Sequence, residues 1–157
     1  MVDIQTVSII IASASVVAGI VYYAFQLRHQ TKLRQTDLVM RLYDKFSSKD
    51  FQDAWEILRK RIDEFKNIDE MDETIGFREA NMVCLFYEEI GILLKRKLLD
   101  ISMIEDLFGG AIVMVWEKVK TALLEARRYY KDPAIFYYFE YLYNEMKKRE
   151  RQLAETH

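Results

Sequence analysis

The first pattern along the chain is an apolar run from Ile4 to Leu27, with no charged residue between Asp3 and Arg28. As a helix this run is about 36 Å long, at roughly 1.5 Å per residue. Because the hydrocarbon core of a bilayer is about 30 Å thick, the run predicts one transmembrane helix. A secretory signal peptide is the alternative, but it requires positive charge before the apolar run, and here the basic residues follow it.

The charges beside this helix predict its direction. Asp3 is the charged side chain before the run, whereas Arg28, Lys32 and Arg34 follow it closely. Positively charged flanks stay on the cytoplasmic side of a membrane, so we expect the N-terminus outside and the remaining chain in the cytoplasm. The expected location is therefore the cell membrane, as a single-pass protein in contact with the lipid bilayer.

One side of the apolar run carries small residues that recur every three or four positions. This small-residue face consists of Ser8, Ala12, Ser15 and Gly19. In lipid, such a face lets another helix approach closely and gain packing contacts. The alternative is that small residues are simply common in membrane helices. We therefore expect a protein partner or a homo-oligomer.

Beyond the apolar run, apolar residues recur with the helical period and no strand pattern is found. The pattern divides the chain into an anchor over 1–27, a helical neck and first cytoplasmic helix over 28–47, and a helical domain over 48–157. No glycine or proline interrupts residues 20–47, so anchor and first helix are expected to be continuous. The expected fold is all-α: one N-terminal transmembrane helix followed by a four- to five-helix cytoplasmic bundle.

The helices of the domain are predicted from apolar residues that recur with the helical period and from residues that start or end helices. We expect a helix to about Lys66, an acidic loop over 67–76, and a helix over 77–98 that is apolar nearly all round and therefore central. A short helix opens at Ser102 and ends at Gly109 and Gly110. Two further helices are expected over 111–130 and from Asp132–Pro133 to about 154.

Composition and charge exclude several classes of protein. The net charge of the 157-residue chain is −2, so no overall positive field attracts nucleic acid. The single cysteine, Cys84, excludes an internal disulfide framework and fits a reducing compartment. His29 lies beside the apolar run and His157 at the C-terminus, and no Glu-x-x-His pair or glycine-rich phosphate loop occurs. We therefore expect no enzyme, no cofactor and no metal site.

Two pairs of charged residues are the best candidates for a functional site. Glu88 and Glu89 interrupt the most apolar predicted helix, where a buried carboxylate needs a partner. Arg127 and Arg128, on a later helix, are the expected partners. These four residues form either a structural ion pair that fixes helix register or a polar ligand pocket between helices.

The last predicted helix has more aromatic residues than one core stripe requires. Its surplus aromatic set is Phe136, Tyr137, Tyr141 and Tyr143. Tyrosine is frequent at protein interfaces because one end of its side chain tolerates water. The aromatic set is therefore a candidate partner surface, and the alternative is that a small bundle surrounds this helix on two sides.

The segment from Phe86 to Leu142 has a recognisable sequence of features. It contains a Tyr-Glu pair before a short apolar run, a Leu-Leu-Asp turn, a Leu-Phe-Gly motif, a tryptophan, and an arginine followed by an aromatic helix. This combination resembles the uncharacterised prokaryotic family called domain of unknown function 4760. The resemblance implies an N-terminal membrane helix before a helical domain, and it implies no activity.

The leading functional hypothesis is a non-enzymatic, single-pass membrane protein whose bundle is a protein–protein interaction module. Such a module would be an accessory subunit or adaptor of a membrane complex. The second hypothesis is a membrane-tethered sensor that binds a small polar ligand near Glu88, Glu89, Arg127 and Arg128. An enzyme is the third hypothesis, and it would require a cleft with convergent titratable groups.

Overall fold

The computed structural model describes residues 3–61 and 63–155. Met1, Val2, Ile62, Thr156 and His157 lie outside the described residues. The described residues form six α-helices and no strand, which confirms the all-α prediction. The helices are α1 (Ile4–Phe46), α2 (Lys49–Lys60), α3 (Ile68–Ile75), α4 (Phe77–Lys95), α5 (Ile101–Tyr130) and α6 (Tyr137–Ala154).

The chain divides into two compact units, Met1–Leu38 and Val39–His157. The first unit consists of the N-terminal part of α1, which is a single helix of 43 residues. By length and composition, α1 is the described helix that is long and apolar enough to cross a membrane. None of the residues in its most apolar stretch is buried.

The second unit is a helical bundle built around α4. This helix contacts α2, α3, α5 and α6, as expected for a helix with apolar side chains on nearly every face. Its Phe86 ring lies 4.8 Å from Phe51 of α2 and 5.6 Å from Phe108 of α5, measured between ring centroids. Its Tyr87 ring stacks on Phe139 of α6 at 5.0 Å. Aromatic contacts from one helix therefore join four helices of the bundle.

The predicted extension of α2 to Lys66 is wrong, since the helix ends at Lys60. The ammonium group of Lys118, on α5, donates hydrogen bonds to the carbonyl oxygens of Leu58 at 2.7 Å and Arg59 at 3.2 Å, and also to that of Arg61. The carbonyls of Leu58 and Arg59 belong to the last turn, which lacks helical donors of its own, and Arg61 is the C-cap residue. A side chain from another helix therefore stabilises the end of α2.

The predicted acidic loop over 67–76 is also wrong, because most of it is helix α3. The side chain of Asn67 accepts a hydrogen bond from the Glu70 backbone N–H at 2.8 Å, and the Glu70 carboxylate accepts one from the Lys66 N–H at 2.8 Å. This reciprocal cap resembles a capping box. Met71 and Ile75 are buried, so the short helix also contributes to the core.

The predicted break at Gly109 and Gly110 is absent, because α5 is continuous from Ile101 to Tyr130. Glycine costs a helix only about 1 kcal/mol relative to alanine. The flanking side chains of Phe108 and Ile112 are buried, which offsets that cost. The cap also differs from the prediction: Asp100, rather than Ser102, is the N-cap and accepts from the Ser102 N–H at 2.9 Å.

Two further helix boundaries are displaced from their predicted positions. The last helix begins at Tyr137 rather than at Asp132–Pro133, after a turn in which Lys131 and Phe136 have positive φ angles of 54° and 49°. Helix α4 ends at Lys95 rather than at residue 98, and Lys97 has a φ of 58°. A left-handed residue commonly stops a helix, as Lys97 does after α4 and Lys131 after α5, and a non-glycine residue gives little sequence signal of that conformation.

Candidate functional site

Glu88 lies on α4 and faces the N-terminus of α6. Its Oε2 accepts a hydrogen bond from the Phe139 backbone N–H at 2.6 Å, and its carboxylate also interacts with the Tyr138 N–H. The first N–H groups of a helix have no partner within the helix, and the N-cap residue Phe136 has no side-chain acceptor. Burial raises the pKa of Glu88, although the hydrogen bonds and the charge of Arg127 oppose this rise.

Arg127, near the end of α5, binds the carbonyl groups of the same turn. Its guanidinium donates to the carbonyl oxygens of Ile135 at 2.7 Å and Phe136 at 3.2 Å, and it pairs with Glu140 at 2.5 Å. Glu88 thus accepts from the amides of this turn while Arg127 donates to its carbonyls. The two residues meet through the α5–α6 turn, and the described residues contain no direct ion pair between them.

The other two members of the predicted set lie elsewhere. Glu89 pairs with Lys45 of α1 at 2.8 Å, and both side chains are about half exposed. Arg128 is exposed. The structure therefore brings together Glu88 and Arg127 but not Glu89 and Arg128, and the expected glutamate–arginine pairs are replaced by Glu89–Lys45 and Arg127–Glu140.

Gly91 is a residue of this region that the sequence interpretation missed. A Cβ atom at this position would overlap with the carbonyl oxygen of Tyr138, so α4 and α6 approach each other here with no side chain between them. One turn later, the Lys95 ammonium lies 4.5 Å from the centroid of the Tyr141 ring. A glycine within an otherwise apolar helix is the sequence signal for such a close approach.

Most residues of the aromatic set contact other parts of the bundle or are half-buried in it. Tyr141 contacts Lys95, and Phe136 is half-buried. The Tyr143 hydroxyl donates a hydrogen bond to Glu117, and this bond raises the pKa of Tyr143. Tyr137 is the exposed member, with 49% of its surface accessible. Tyr141 and Tyr143 therefore have partners on neighbouring helices, as the structural alternative anticipated, while Tyr137 is open to solvent.

All four residues of the small-residue face are exposed on α1. The hydroxyl of Ser8 donates to the carbonyl oxygen of Ile4 at 3.0 Å, and that of Ser15 donates to Ile11 at 2.8 Å. A Cβ atom added at Gly19 would have no neighbour within 4 Å. The face therefore has satisfied hydroxyl groups and open space in front of its glycine.

The acidic residues and the cysteine of the described part of the chain bear on metal binding and on nucleophilic chemistry. Among them, no group of three or more His, Cys, Asp or Glu residues is close enough to hold a metal ion. Burial raises the pKa of the Cys84 thiol to about 12, and the charge of Glu88 adds to the rise. A thiol with that pKa stays protonated at neutral pH, so it lacks the thiolate that a nucleophile needs.

Comparison with known proteins identifies the family. No curated protein and no solved structure matches the chain. The model of the family described as a domain of unknown function (DUF4760) matches residues 9–146. This match includes α2–α5 completely, together with most of α1 and part of α6, and it extends the resemblance that the 86–142 segment carries. The chain therefore belongs to the DUF4760 family.

Proposed function

We propose that the protein is a single-pass membrane-anchored interaction module, an accessory subunit or adaptor of a membrane complex. In this proposal α1 crosses the cell membrane with its N-terminus outside, and the bundle lies in the cytoplasm. The protein binds a partner helix or a second copy of itself through α1 and has no catalytic activity of its own.

The exposed apolar surface of α1 is the observation that carries the proposal. Between Ile4 and Leu27 every residue is exposed, including Ile9 at 65% and Ile20 at 64%. Soluble proteins rarely expose a continuous apolar surface of this size, because contact with water is unfavourable. A lipid environment removes that cost, and its thickness matches the length of the run.

The small-residue face supports a partner helix within the membrane. Its serine hydroxyls bond to carbonyls of their own helix, so they do not need lipid-facing partners. The open space at Gly19 allows a second helix to approach closely. Since apolar side chains gain nothing from leaving lipid for each other, such close packing is what drives association between membrane helices.

The sensor hypothesis, which places a polar ligand near the two glutamates and two arginines, has weaker support. Glu88 and Arg127 direct their hydrogen bonds to the backbone and to Glu140 around the α5–α6 turn, which leaves fewer groups for a ligand. Glu89 and Arg128 lie outside this contact region. The geometry at Glu88 and Arg127 therefore favours a structural role for that pair.

The partner is tested by purification from native membranes with a matched pair of variants. Gly19→Leu places a large side chain on the small-residue face, whereas Val17→Leu changes size on roughly the opposite side of the helix. Both variants keep the anchor apolar. We expect the tagged full chain and Val17→Leu to retain the same stoichiometric partner, or the same oligomer, and Gly19→Leu to lose it.

Two results would contradict the proposal. One is a tagged chain that is a monomer in mild detergent and retains no stoichiometric partner from native membranes. The other is a tagged chain in the soluble fraction of lysed cells, which would remove the anchor. If the chain is membrane-bound but Gly19→Leu keeps its partner, the small-residue face is not the contact.

The direction of the anchor has its own test. Protease added to intact cells should leave a C-terminal tag uncut, and protease added to inverted membrane vesicles should remove it. Replacing Arg28, Lys32 and Arg34 with glutamine removes the positive flank and should increase the fraction of inverted chains. A tag that is cut in intact cells would reverse the proposed orientation.

A further inference from the structure

One face of α1 has residues that recur at alternating steps of four and three positions. The small-residue face begins this spacing at Ser8, and equal steps from Gly19 lead to Tyr22, Gln26, His29, Leu33 and Thr36. Together these residues form what we call the heptad face. Alternating steps of three and four give a period of about 3.5 residues, which is the repeat of helices that pack in a left-handed coiled coil.

The exposed apolar residues of α1 beyond its apolar run all follow this spacing. After Leu27, the large apolar side chains of α1 that are exposed are Leu33 at 57%, Met40 at 54% and Tyr43 at 48%. Met40 and Tyr43 continue the steps of four and three from Thr36, so they extend the heptad face. Apolar side chains that recur at this period and are open to solvent are typical of a coiled-coil face without its second helix.

The charges beside the heptad face fit a second copy of the same chain. No Asp, Glu, Lys or Arg occupies the face itself. Lys32 directly precedes Leu33 on the face, Asp37 directly follows Thr36, and both charged side chains are exposed. Residues at these two flanking positions oppose each other across a parallel pair of helices, so Lys32 of one copy would face Asp37 of the other.

Gln26 is a polar residue of the heptad face within the apolar run. Lipid offers no hydrogen-bonding partner to an amide, so such a side chain is best satisfied by a neighbouring helix. All copies of one anchor insert in the same direction, which makes two copies in one membrane parallel and places equivalent residues opposite each other. Because an amide both donates and accepts, Gln26 can bond to its own counterpart.

We propose that two copies of the chain associate in parallel through the heptad face of α1, as a two-stranded left-handed coiled coil. This inference rests on the proposed membrane anchor, and it identifies the partner of α1 as a second copy. Within lipid the small residues let the two helices approach closely, and beyond it Leu33, Met40 and Tyr43 bury apolar surface from water. A different helix fits less well, because it would need the same heptad spacing inside and outside the lipid together with opposing flanking charges.

Cysteine crosslinking of the full chain in native membranes tests the dimer. Leu33→Cys and Thr36→Cys place a thiol on the heptad face, whereas Thr31→Cys places one on roughly the opposite side of the helix. Thr31 and Thr36 are a matched pair, since both are exposed and each hydroxyl donates to a carbonyl oxygen of its own helix, at 2.9 Å and 3.0 Å. The unchanged chain is the blank, because its one cysteine, Cys84, is buried.

Mild oxidation should give disulfide-linked dimers with Leu33→Cys and Thr36→Cys and no dimer with Thr31→Cys. The reason is that cysteines whose Cα atoms are more than about 7 Å apart are not bridged without backbone movement. Equal crosslinking of the three variants, or no dimer from the two variants on the heptad face, would overturn the proposal. A disulfide product whose mass is not twice that of the chain would also overturn it, since another protein would then occupy the face.

Fractionation of the same cells separates failure of the dimer from failure of the anchor. A chain in the membrane fraction that gives no dimer at the heptad face disproves the pairing of two copies and leaves the anchor and the capture of another partner unaffected. A chain in the soluble fraction contradicts the anchor and, with it, the parallel dimer. Circular dichroism verifies that each variant keeps its helicity.

Discussion

Glu88 of α4 caps the first turn of α6 through a hydrogen bond of 2.6 Å from the Phe139 N–H to its Oε2. A helix cap is usually supplied by the residue just before the helix, but here that residue is Phe136, which has no acceptor in its side chain. The cap therefore depends on tertiary structure. Together with Arg127 of α5, it connects three helices at one turn.

Removing this cap should destabilise the bundle. We expect Glu88→Ala to reduce the free energy of unfolding by about 1–2 kcal/mol, because the first amides of α6 lose their acceptor. This corresponds to a decrease of roughly 2–8 °C in the melting temperature, measured by circular dichroism on the full chain in detergent. Glu89→Ala is the control, and since its pair with Lys45 is about half exposed, it should cost at most about 1 kcal/mol. Equal losses in the two variants would contradict the capping role.

The pKa of Glu88 predicts a specific pH dependence. Burial raises this pKa above its ordinary value of 4.5, so the folded chain holds the proton more tightly than the unfolded chain does. The stabilisation from this residue is therefore complete below pH 4.5 and is lost as the pH rises through the raised pKa.

Glu88→Gln isolates this contribution, because glutamine keeps an acceptor and cannot titrate. The melting temperature of the wild type minus that of Glu88→Gln should fall as the pH rises from below 4.5 through the raised pKa of Glu88. The subtraction cancels groups with lowered pKa values, such as Glu70 and Glu117, which act in the opposite direction. A difference that rises over this range would show that Glu88 is stabilised in its charged form.

The periodic pattern predicted which residues are buried better than where helices end. The recurring apolar residues of α5, among them Val115, Trp116 and Leu123, are all buried, and α4 is central, as its apolar pattern predicted. The end of α2 depends on Lys118, a residue nearly sixty positions later, and no local pattern contains that contact. The start of α3 does have a local signal, the pairing of Asn67 with Glu70, which the acidic composition of the segment obscured.

For the candidate site, the sequence indicated the residues but not their partners. Glu88 and Arg127 do converge, since carboxylates and guanidinium groups inside a helical bundle need polar partners. Their partners are mainly backbone groups of the α5–α6 turn, which every residue possesses and which therefore leave no pattern in the sequence.

Gly91 provides a sharp test of the α4–α6 contact. Gly91→Ala should destabilise the bundle by about 1–3 kcal/mol or more, because the new methyl group would overlap with the Tyr138 carbonyl oxygen and force the helices apart. Gly110→Ala is the matched control within α5. Its Cβ atom would have no neighbour within 4 Å, so the higher helix propensity of alanine should stabilise the chain by up to about 1 kcal/mol. Melting temperatures that shift in the same direction would disprove the close approach.

Lys118 should control the end of α2. In Lys118→Met the stem of the side chain remains, but the carbonyls of Leu58, Arg59 and Arg61 lose a charged donor. We expect a loss of about 1–2 kcal/mol, with faster amide hydrogen exchange concentrated at the C-terminal end of α2. Lys120→Met removes the same charge, but the pairs that it breaks, with Glu117 and Glu64, are partly exposed, so its effect should stay within about 1 kcal/mol.

Burial and the nearby Arg61 lower the pKa of Lys118, so keeping its ammonium group charged opposes part of the stabilisation from its hydrogen bonds. Unchanged amide exchange at the end of α2 in Lys118→Met would show that these two effects cancel and that Lys118 does not determine where the helix ends.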